Sequence, residues 1–185
     1  MTITSGIPPW RPFTVDDLEA MPDDGRRHEL IDGMLIMSPT PGRRHQRALL
    51  KLVVALDSAC PDSMHVLLGP LAVRPSDDTE LRPDALVARA DDLGETHLAA
   101  APVLTIEVLE PSTEINDLNN KKAAYERMGV PCYWVVDPRQ PSLIVFELDD
   151  GRYRQVAEVN GDEVFVAERP FAVRIVPAEL LDTDG

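Results

Sequence analysis

Three charged residues have types and positions suited to metal-assisted chemistry: Asp84, Glu107 and Lys121. Glu107 lies inside the apolar segment 104–109, "LTIEVL", which is typical of a buried strand. A lone ionised carboxylate on a buried sheet face costs several kcal/mol unless it is paired or bound to a metal ion. Asp84 follows Pro83 at the start of another short apolar segment, although Pro-Asp is also ordinary turn chemistry. If the two strands are neighbours, about 4.8 Å apart, the carboxylates converge and Mg²⁺ can relieve their repulsion.

The alternation along the strand predicts which side chains share a face. Residues two apart point the same way in a β-strand. Thr105, Glu107 and Leu109 should therefore point to one side, while residues 104, 106 and 108 point into the core. The backbone carbonyl of Val108 is then a natural additional metal ligand.

A helix after this strand is predicted to supply a cation. Asp117, Lys121 and Tyr125 are spaced i, i+4 and i+8, which places them on one helical face. The helix follows the strand almost directly, so it should pack back over the strand end and bring Lys121 near a phosphate or an attacking water. Lys122 is rotated by about 100° and is the weaker candidate. A solvated ion pair between Asp117 and Lys121 is the alternative.

The hydrophobic periodicity predicts an α/β or α+β domain with a mixed β-sheet flanked by helices and additional hairpins near both ends. A helix at 43–58 should bury Leu49, Leu50, Val53, Val54 and Leu56. Asp32-Gly33 is a turn signal within a hairpin at 27–38. The other predicted elements are a helix at 14–21, strands within 64–75, 82–89, 102–109 and 130–138, a helix at 115–129, a hairpin at 142–157, and a final short strand and one-turn helix. Residues 1–13 are expected to be a flexible arm, and 14–185 a single domain.

Composition limits the classes of function. The chain has 185 residues and a net charge of −14, so it lacks the general excess of Lys and Arg of a duplex-binding protein. The sizeable basic cluster is Arg43, Arg44 and Arg47, which is either a contact for a nucleic-acid backbone or a solvated helix face.

No apolar run is long enough to cross a membrane and no secretory signal is visible, so a cytoplasmic location is expected. Cys60 and Cys132 are expected to be buried thiols without a disulfide.

Six segments, taken in order, resemble the Uma2 (DUF820) family of the PD-(D/E)XK nuclease superfamily. They are "HELIDG", "SP…H", "RPDALV", "IEVLEPST", "DLNNK…Y" and "VPCYWVVDP", and they cover roughly residues 14–148. The resemblance implies a restriction-endonuclease-like fold and a metal-dependent phosphodiesterase site. Asp84 matches the aspartate of the family's "PD" element, and Glu107 matches the acidic residue of the (D/E)XK element.

The resemblance also implies roles for residues outside those two strands. The superfamily's lysine would fall at position 109, where this chain has leucine, and Lys121 matches a lysine displaced to the following helix. Glu29 matches a glutamate that would assist the metal through water, and His45 matches a histidine that would contact phosphate or orient a carboxylate. Glu110 is a departure, since the family usually shows serine there, and its charge is expected to weaken phosphate approach or alter metal affinity.

The function that we predict is a Mg²⁺- or Mn²⁺-dependent endonuclease that hydrolyses phosphodiester bonds in DNA. DNA would bind weakly, through the local basic patch, and a homodimer would cut both strands. The first alternative is a nuclease fold used as a non-catalytic binding or assembly module, which the acidic composition and Glu110 favour. The second is a hydrolase of small phosphate esters.

Overall fold

The computed structural model describes residues 11–181. The first ten residues of the predicted arm lie outside the described residues, and the arm and the single domain stay predictions. Residues 11–13 contact the domain: Arg11 pairs with Asp17 at 2.6 Å, and Phe13 packs on a small cluster of Val15, Leu18 and Leu30.

Three α-helices and several short helical turns accompany the strands. The α-helices are α1 (Val15–Glu19), α2 (Arg43–Ala59) and α3 (Lys122–Met128). A π-helix at Asn116–Lys121 runs directly into α3, and 3₁₀ turns lie at Ala90–Asp92 and Pro177–Leu180. Gly129 ends α3 with φ of +78°, the left-handed conformation that glycine adopts without strain. None of the helices within residues 11–181 has the length and apolarity needed to cross a bilayer.

The strands form two larger sheets and a separate hairpin. The first sheet has the order β2-β1-β5-β4-β7, the second has the order β11-β10-β9-β8-β6-β3, and the third contains β12 and β13. The strands are β1 (Arg27–Ile31), β2 (Met34–Ser38), β3 (Met64–Leu68), β4 (Ala72–Ser76), β5 (Thr79–Leu81), β6 (Ala85–Arg89), β7 (His97–Leu98), β8 (Leu104–Val108), β9 (Cys132–Asp137), β10 (Ser142–Asp149), β11 (Arg152–Asn160), β12 (Phe165–Ala167) and β13 (Val173–Ile175). β8 and β9 are parallel and β8 and β6 antiparallel, so the second sheet is mixed, as predicted.

The prediction of one sheet was incomplete, because the chain passes between the two larger sheets five times between β2 and β8. β3 belongs to the second sheet, whereas β4, which follows it through Gly69 and Pro70, belongs to the first. β5 pairs with β1 at Leu30 and Glu80, and the chain then returns to the second sheet at β6. The predicted hairpins are present: β1 and β2 turn through Asp32 and Gly33, and β10 pairs with β11. The mixed α+β architecture is therefore confirmed, with Glu29 on one sheet and Glu107 on the other.

The two faces of β8 pack into different clusters, which confirms the predicted alternation. Leu104, Ile106 and Val108 lie in the core beneath α2, together with Trp134. Leu109 belongs to the cluster on the other face, which includes Tyr125. Glu107 projects to this second face, which the π-helix and α3 cover.

The predicted apolar stripe of α2 was wrong in part. The buried residues are His45, Ala48, Leu52 and Leu56, whereas Leu50 and Val54 are about half exposed, at 47% and 56%. The apolar pattern predicted the wrong face because two of the buried positions in the first turns hold His45 and Ala48 instead of large apolar residues. Leu49 and Val53 flank it as partly buried residues.

Two smaller predictions also need correction. Cys132 is buried, but Cys60 is only partly buried; its thiol approaches the Met64 carbonyl oxygen at 3.4 Å. The thiols of Cys60 and Cys132 are both free, as expected. Residues 91–101, whose polar composition favours a loop or frayed helix, contain the end of a 3₁₀ turn and the short strand β7, which pairs with β4.

Candidate active site

Backbone pairing brings Asp84 next to the strand that carries Glu107. β6 and β8 are antiparallel neighbours, and the Asp84 amide donates to the Ile106 carbonyl at 3.1 Å. The Val108 amide donates in turn to Oδ2 of Asp84 at 2.8 Å. β6 and β8 are therefore neighbours, as the convergence of Asp84 and Glu107 requires. Val108, proposed as a ligand through its carbonyl, contacts the site here through its N–H group.

Lys121 lies at the centre of a group of buried carboxylates. Its Nζ is 3.0 Å from Oε1 of Glu107, 3.1 Å from Oε2 of Glu29 and 3.4 Å from Oδ1 of Asp117. The lysine is 1% exposed, and Glu29 and Glu107 are fully buried. It therefore joins β1 of the first sheet to β8 of the second. The alternative of a solvated ion pair with Asp117 is excluded by this burial.

The π-helix determines where Lys121 and Asp117 point. Widening the helix over Asn116–Lys121 turns both side chains inward, with Lys121 as its last residue. Tyr125, one turn further on, donates its hydroxyl to Oε1 of Glu107 at 2.8 Å. The predicted face of Asp117, Lys121 and Tyr125 is thus confirmed. Single-turn π-helices occur often at functional sites.

A second set of contacts surrounds Asp84 and Glu29. Arg27 donates to Oδ1 of Asp84 at 2.7 Å, and its Nε lies 3.6 Å from Oε2 of Glu29. His45 Nε2 approaches Oδ2 of Asp84 at 3.5 Å. The amide of Arg82 donates to Oε1 of Glu29 at 2.7 Å. Asp84 is thus oriented by β1 and α2, and Glu29 by the segment before β6.

The electrostatics of the group follow from burial and close charges. Burial alone would lower the pKa of Lys121, but the charges of Glu107, Glu29 and Asp117 outweigh it and raise that pKa above its ordinary value. Burial raises the pKa of Glu107 well above its usual range, against the opposing charge of Lys121. Burial also raises the pKa of Asp117. Burial opposes ionisation of Asp84 as well, yet the hydrogen bond from His45 and the charge of Arg27 hold its pKa well below the usual range.

The balance of charge leaves room for a divalent cation. Glu29, Asp84, Glu107 and Asp117 are all buried, and with all four ionised they exceed the two cations, Lys121 and Arg27, by two negative charges. Oε2 of Glu107 is buried without a hydrogen-bond partner among the described residues. Within residues 11–181 no group of three or more His, Cys, Asp or Glu side chains is arranged to hold a metal ion. Mg²⁺ does not require such a group, because it usually takes one or two carboxylates and keeps several waters.

Glu110 makes a contact that the sequence did not predict, and its expected effect on the metal site stays a prediction. Its Oε1 accepts a hydrogen bond from the amide of Gly42, the residue that precedes α2, at 2.8 Å. His45 Nδ1 lies 3.8 Å from the same oxygen. A carboxylate at a helix N-terminus is stabilised by the helix dipole. Glu110 therefore ties the start of α2 to the end of β8.

Sequence reasoning missed the contribution of two residues. Arg27 precedes "HELIDG" and was not considered, although it alternates with Glu29 on β1, a signal that places both on one face. Tyr125 was placed on the inward helical face without a role; it is fully buried beside Tyr133, and its hydroxyl contacts Glu107. The predicted basic cluster, Arg43, Arg44 and Arg47, lies on the exposed side of the first turns of α2, opposite buried His45.

Gly69 offers a test of how tightly Asp84 is placed. A Cβ at this position would lie 2.5 Å from the carbonyl oxygen of Pro83, which can move only with the backbone. We expect Gly69→Ala to lower the free energy of unfolding by about 1–3 kcal/mol and to reduce any activity that depends on Asp84. Chemical denaturation and a cleavage assay measure the two effects.

Gly94→Ala is the matched control for this substitution. Its Cβ would lie 2.4 Å from the carbonyl oxygen of His97, a comparable clash in the edge strand β7. It should cost similar stability while leaving cleavage by the folded protein unchanged. Equal loss of cleavage in the two variants would show that the effect at Gly69 is one of general stability.

Comparison with known proteins agrees with this architecture. The Uma2 family, described as "Putative restriction endonuclease", matches residues 15–179. A crystal structure of "a putative nuclease belonging to DUF820" from Anabaena variabilis ATCC 29413 is similar, with a TM-score of 0.74 and 20% sequence identity, over 91% of this chain and 97% of that one. No curated protein matches the chain. The structural similarity confirms the predicted fold, and because the family match covers most of the sequence, the chain belongs to the Uma2 family.

Proposed function

We propose that this protein is a Mg²⁺- or Mn²⁺-dependent endonuclease that hydrolyses phosphodiester bonds in DNA. Family and fold support a nuclease. The observation that supports metal dependence is the buried group of four carboxylates, whose charge, when all are ionised, exceeds that of Lys121 and Arg27 by two. A buried excess of negative charge is costly unless a cation or protons balance it.

Asp84 and Glu107 are the residues that we propose as metal ligands, with the backbone carbonyl of Val108 as a third. The unpartnered Oε2 of Glu107 and the oxygen chemistry of both side chains suit a hard cation. When bound, the ion would supply Lewis-acid polarisation of the phosphate and a more acidic water. Glu29, held by the Arg82 amide, would assist through water.

Three further residues would position the metal ligands or stabilise charge on the phosphate. Lys121 keeps its proton, because its pKa is raised, so we assign it electrostatic stabilisation of charge that develops on the phosphate. Tyr125 holds Oε1 of Glu107 and leaves Oε2 free. His45 orients Asp84 from the first turn of α2. These roles require that each group stay fixed, which their burial favours.

DNA is proposed to approach the exposed face of Arg43, Arg44 and Arg47 at the start of α2. Guanidinium groups pair with phosphate oxygens in a bidentate manner.

A homodimer is proposed because cutting both strands of a DNA duplex requires two sites. The hairpin at 27–38, whose edge strand β2 exposes Met34 and Met37, and the hairpin at 142–157 are its candidate contacts.

The experiment is incubation of the purified protein with supercoiled plasmid in Mg²⁺, in Mn²⁺ and in EDTA. Asp84→Asn removes the charge at one proposed ligand, and Asp162→Asn is the matched control on an exposed turn. We expect nicking that requires metal and that falls about 100-fold or more in Asp84→Asn. Wild-type activity no greater than that of Asp84→Asn would refute the proposal.

Two other outcomes correspond to the alternative functions. Cleavage of nucleotides or simple phosphodiesters but not of duplexes would identify a small phosphate-ester hydrolase. Intact folding with no cleavage and no Mn²⁺ binding would identify a binding or assembly module, which neither the family nor the fold favours.

A further inference from the structure

Two cavities adjoin beside Asp84 and share part of their walls. The inner cavity, of about 210 Å³, is lined by His45, Asp84 and Arg27 among others. The outer cavity, of about 310 Å³, is lined by Arg26, Arg27 and Arg82 among others. Arg27, Pro41 and Pro70 line both. The candidate catalytic carboxylate therefore lies next to a cavity lined by three arginines, which we call the arginine cavity.

The charge of the arginine cavity is opposite to that of the whole chain. Three arginines and one aspartate, Asp23, line it, so the lining side chains carry two positive charges on a protein with a net charge of −14. Buried Asp84 and Glu80 pair with Arg27 and Arg82 from behind this lining. Local positive potential on an acidic body concentrates anions at that place and repels them elsewhere. The side chain of Arg26 is 60% exposed, that of Arg82 is 32% exposed and that of Arg27 is 22% exposed.

Two of the three arginines, Arg27 and Arg82, are held in place but retain free donors. Arg82 is oriented from behind by fully buried Glu80, which accepts its Nε at 3.0 Å and one terminal nitrogen at 2.8 Å. Arg74 donates to the other oxygen of Glu80, so this carboxylate is already satisfied. Arg27 uses one terminal nitrogen on Asp84. Each guanidinium carries five N–H donors, so both can still bind an anion.

We propose that the arginine cavity binds a backbone phosphate of the nucleic-acid strand, next to the phosphate that is cleaved beside Asp84. This inference rests on the proposed function and adds to it a binding site that the predicted cluster on α2 does not include. Rigidly held guanidinium groups recognise phosphate more specifically than flexible lysines do. Pro41, which lines both cavities, lies two residues before Arg43, so the arginine cavity and the basic cluster on α2 are neighbours.

The test is the binding of a fluorescein-labelled DNA duplex, followed by fluorescence anisotropy at several salt concentrations, in EDTA and again in Ca²⁺. Arg26→Gln removes one charge with little risk to folding, since its only described ion pair is a 3.9 Å contact with Asp24. Thr40→Glu adds a negative charge to the lining without touching any arginine. We expect each to weaken binding about five- to tenfold and to reduce the salt slope by about one.

Arg174→Gln, on β13 and also exposed, is the matched control and should bind as the wild type does. The proposal is overturned if wild-type protein binds no duplex, or if Arg26→Gln and Thr40→Glu bind as tightly as Arg174→Gln. It is also overturned if the substitutions weaken competition by inorganic phosphate but leave duplex affinity unchanged. Arginine-dependent binding without cleavage would support this site while refuting the proposed nuclease activity, so the two failures are distinguishable.

Discussion

Lys121→Met is expected to abolish cleavage, with a loss of about 100- to 1,000-fold in rate. The substitution removes the one ammonium that contacts Glu29, Glu107 and Asp117 together, at 3.0 to 3.4 Å. Methionine has nearly the length of lysine and fills the same buried space, so the substitution mainly removes the positive charge. The measurement is plasmid cleavage under saturating Mg²⁺, with folding verified by circular dichroism.

The same substitution should destabilise the fold. Removing one partner of a buried ion pair leaves uncompensated charge and costs about 3–5 kcal/mol. Without the ammonium, the pKa values of the carboxylates rise further in the folded state, since Lys121 lowers that of Glu107 and Asp117. A raised folded pKa gives stability at low pH that is lost as the pH rises. Denaturation in EDTA should therefore show a smaller deficit at about pH 5 than at about pH 8.

Lys122→Met is the matched control for Lys121→Met. Lys122 is the next residue along the chain, and its ammonium lies over the ring of Phe146 at 3.9 Å instead of in the carboxylate group. Its loss should cost about 0.5–1 kcal/mol and leave cleavage unchanged. A double variant, Lys121→Met with Glu29→Gln, should recover part of the stability without recovering cleavage. Recovery of cleavage as well would mean that Lys121 serves the fold alone.

Glu107→Gln is expected to separate activity from stability. Glutamine keeps the shape of the side chain and an acceptor oxygen for Tyr125, but it removes the charge that we propose to bind metal. Mn²⁺ affinity, measured by isothermal titration calorimetry, should fall about tenfold or more, and cleavage should fall with it. Glu95→Gln, an exposed glutamate, is the matched control and should change neither.

The stability of Glu107→Gln should differ in sign from that of Lys121→Met. Burial raises the pKa of Glu107, so its ionised form makes the folded state less stable as the pH rises through that pKa. Glutamine removes this dependence, and Lys121 retains Glu29 and Asp117 as partners. At neutral pH without metal the variant should be as stable as the wild type or more so. Unfolding as severe as that of Lys121→Met would identify Glu107 as a structural residue.

Part of the site followed from local sequence pattern. A carboxylate in an apolar strand, another after a proline before a second strand, and a lysine four residues after an aspartate are local features. Strand and helix periodicities determine which of these side chains share a face, and both face assignments were confirmed. The roles of these residues in metal binding and catalysis stay proposals.

Other features depend on partners far apart in the chain, and local periodicity carries no information about them. Arg27 and Asp84 are 57 positions apart, and the ion pair between them exists only because two sheets meet there. Glu110 is 68 positions from the helix start that it caps, so its family-based interpretation as a disturbance of the metal site did not include this role. The division into two sheets follows from how the chain crosses at Gly69–Pro70 and again between β5 and β6.

By itself, the sequence determined the alternating core of β8, the inward face of the helix that follows, and the types of side chain present for the chemistry. These depend on periods of two and about 3.6 residues, which any local stretch displays. Only the tertiary structure decided that Lys121 lies among three carboxylates and that Arg26, Arg27 and Arg82 line one cavity. The physical reason is that burial and net charge at a point depend on every element that packs there.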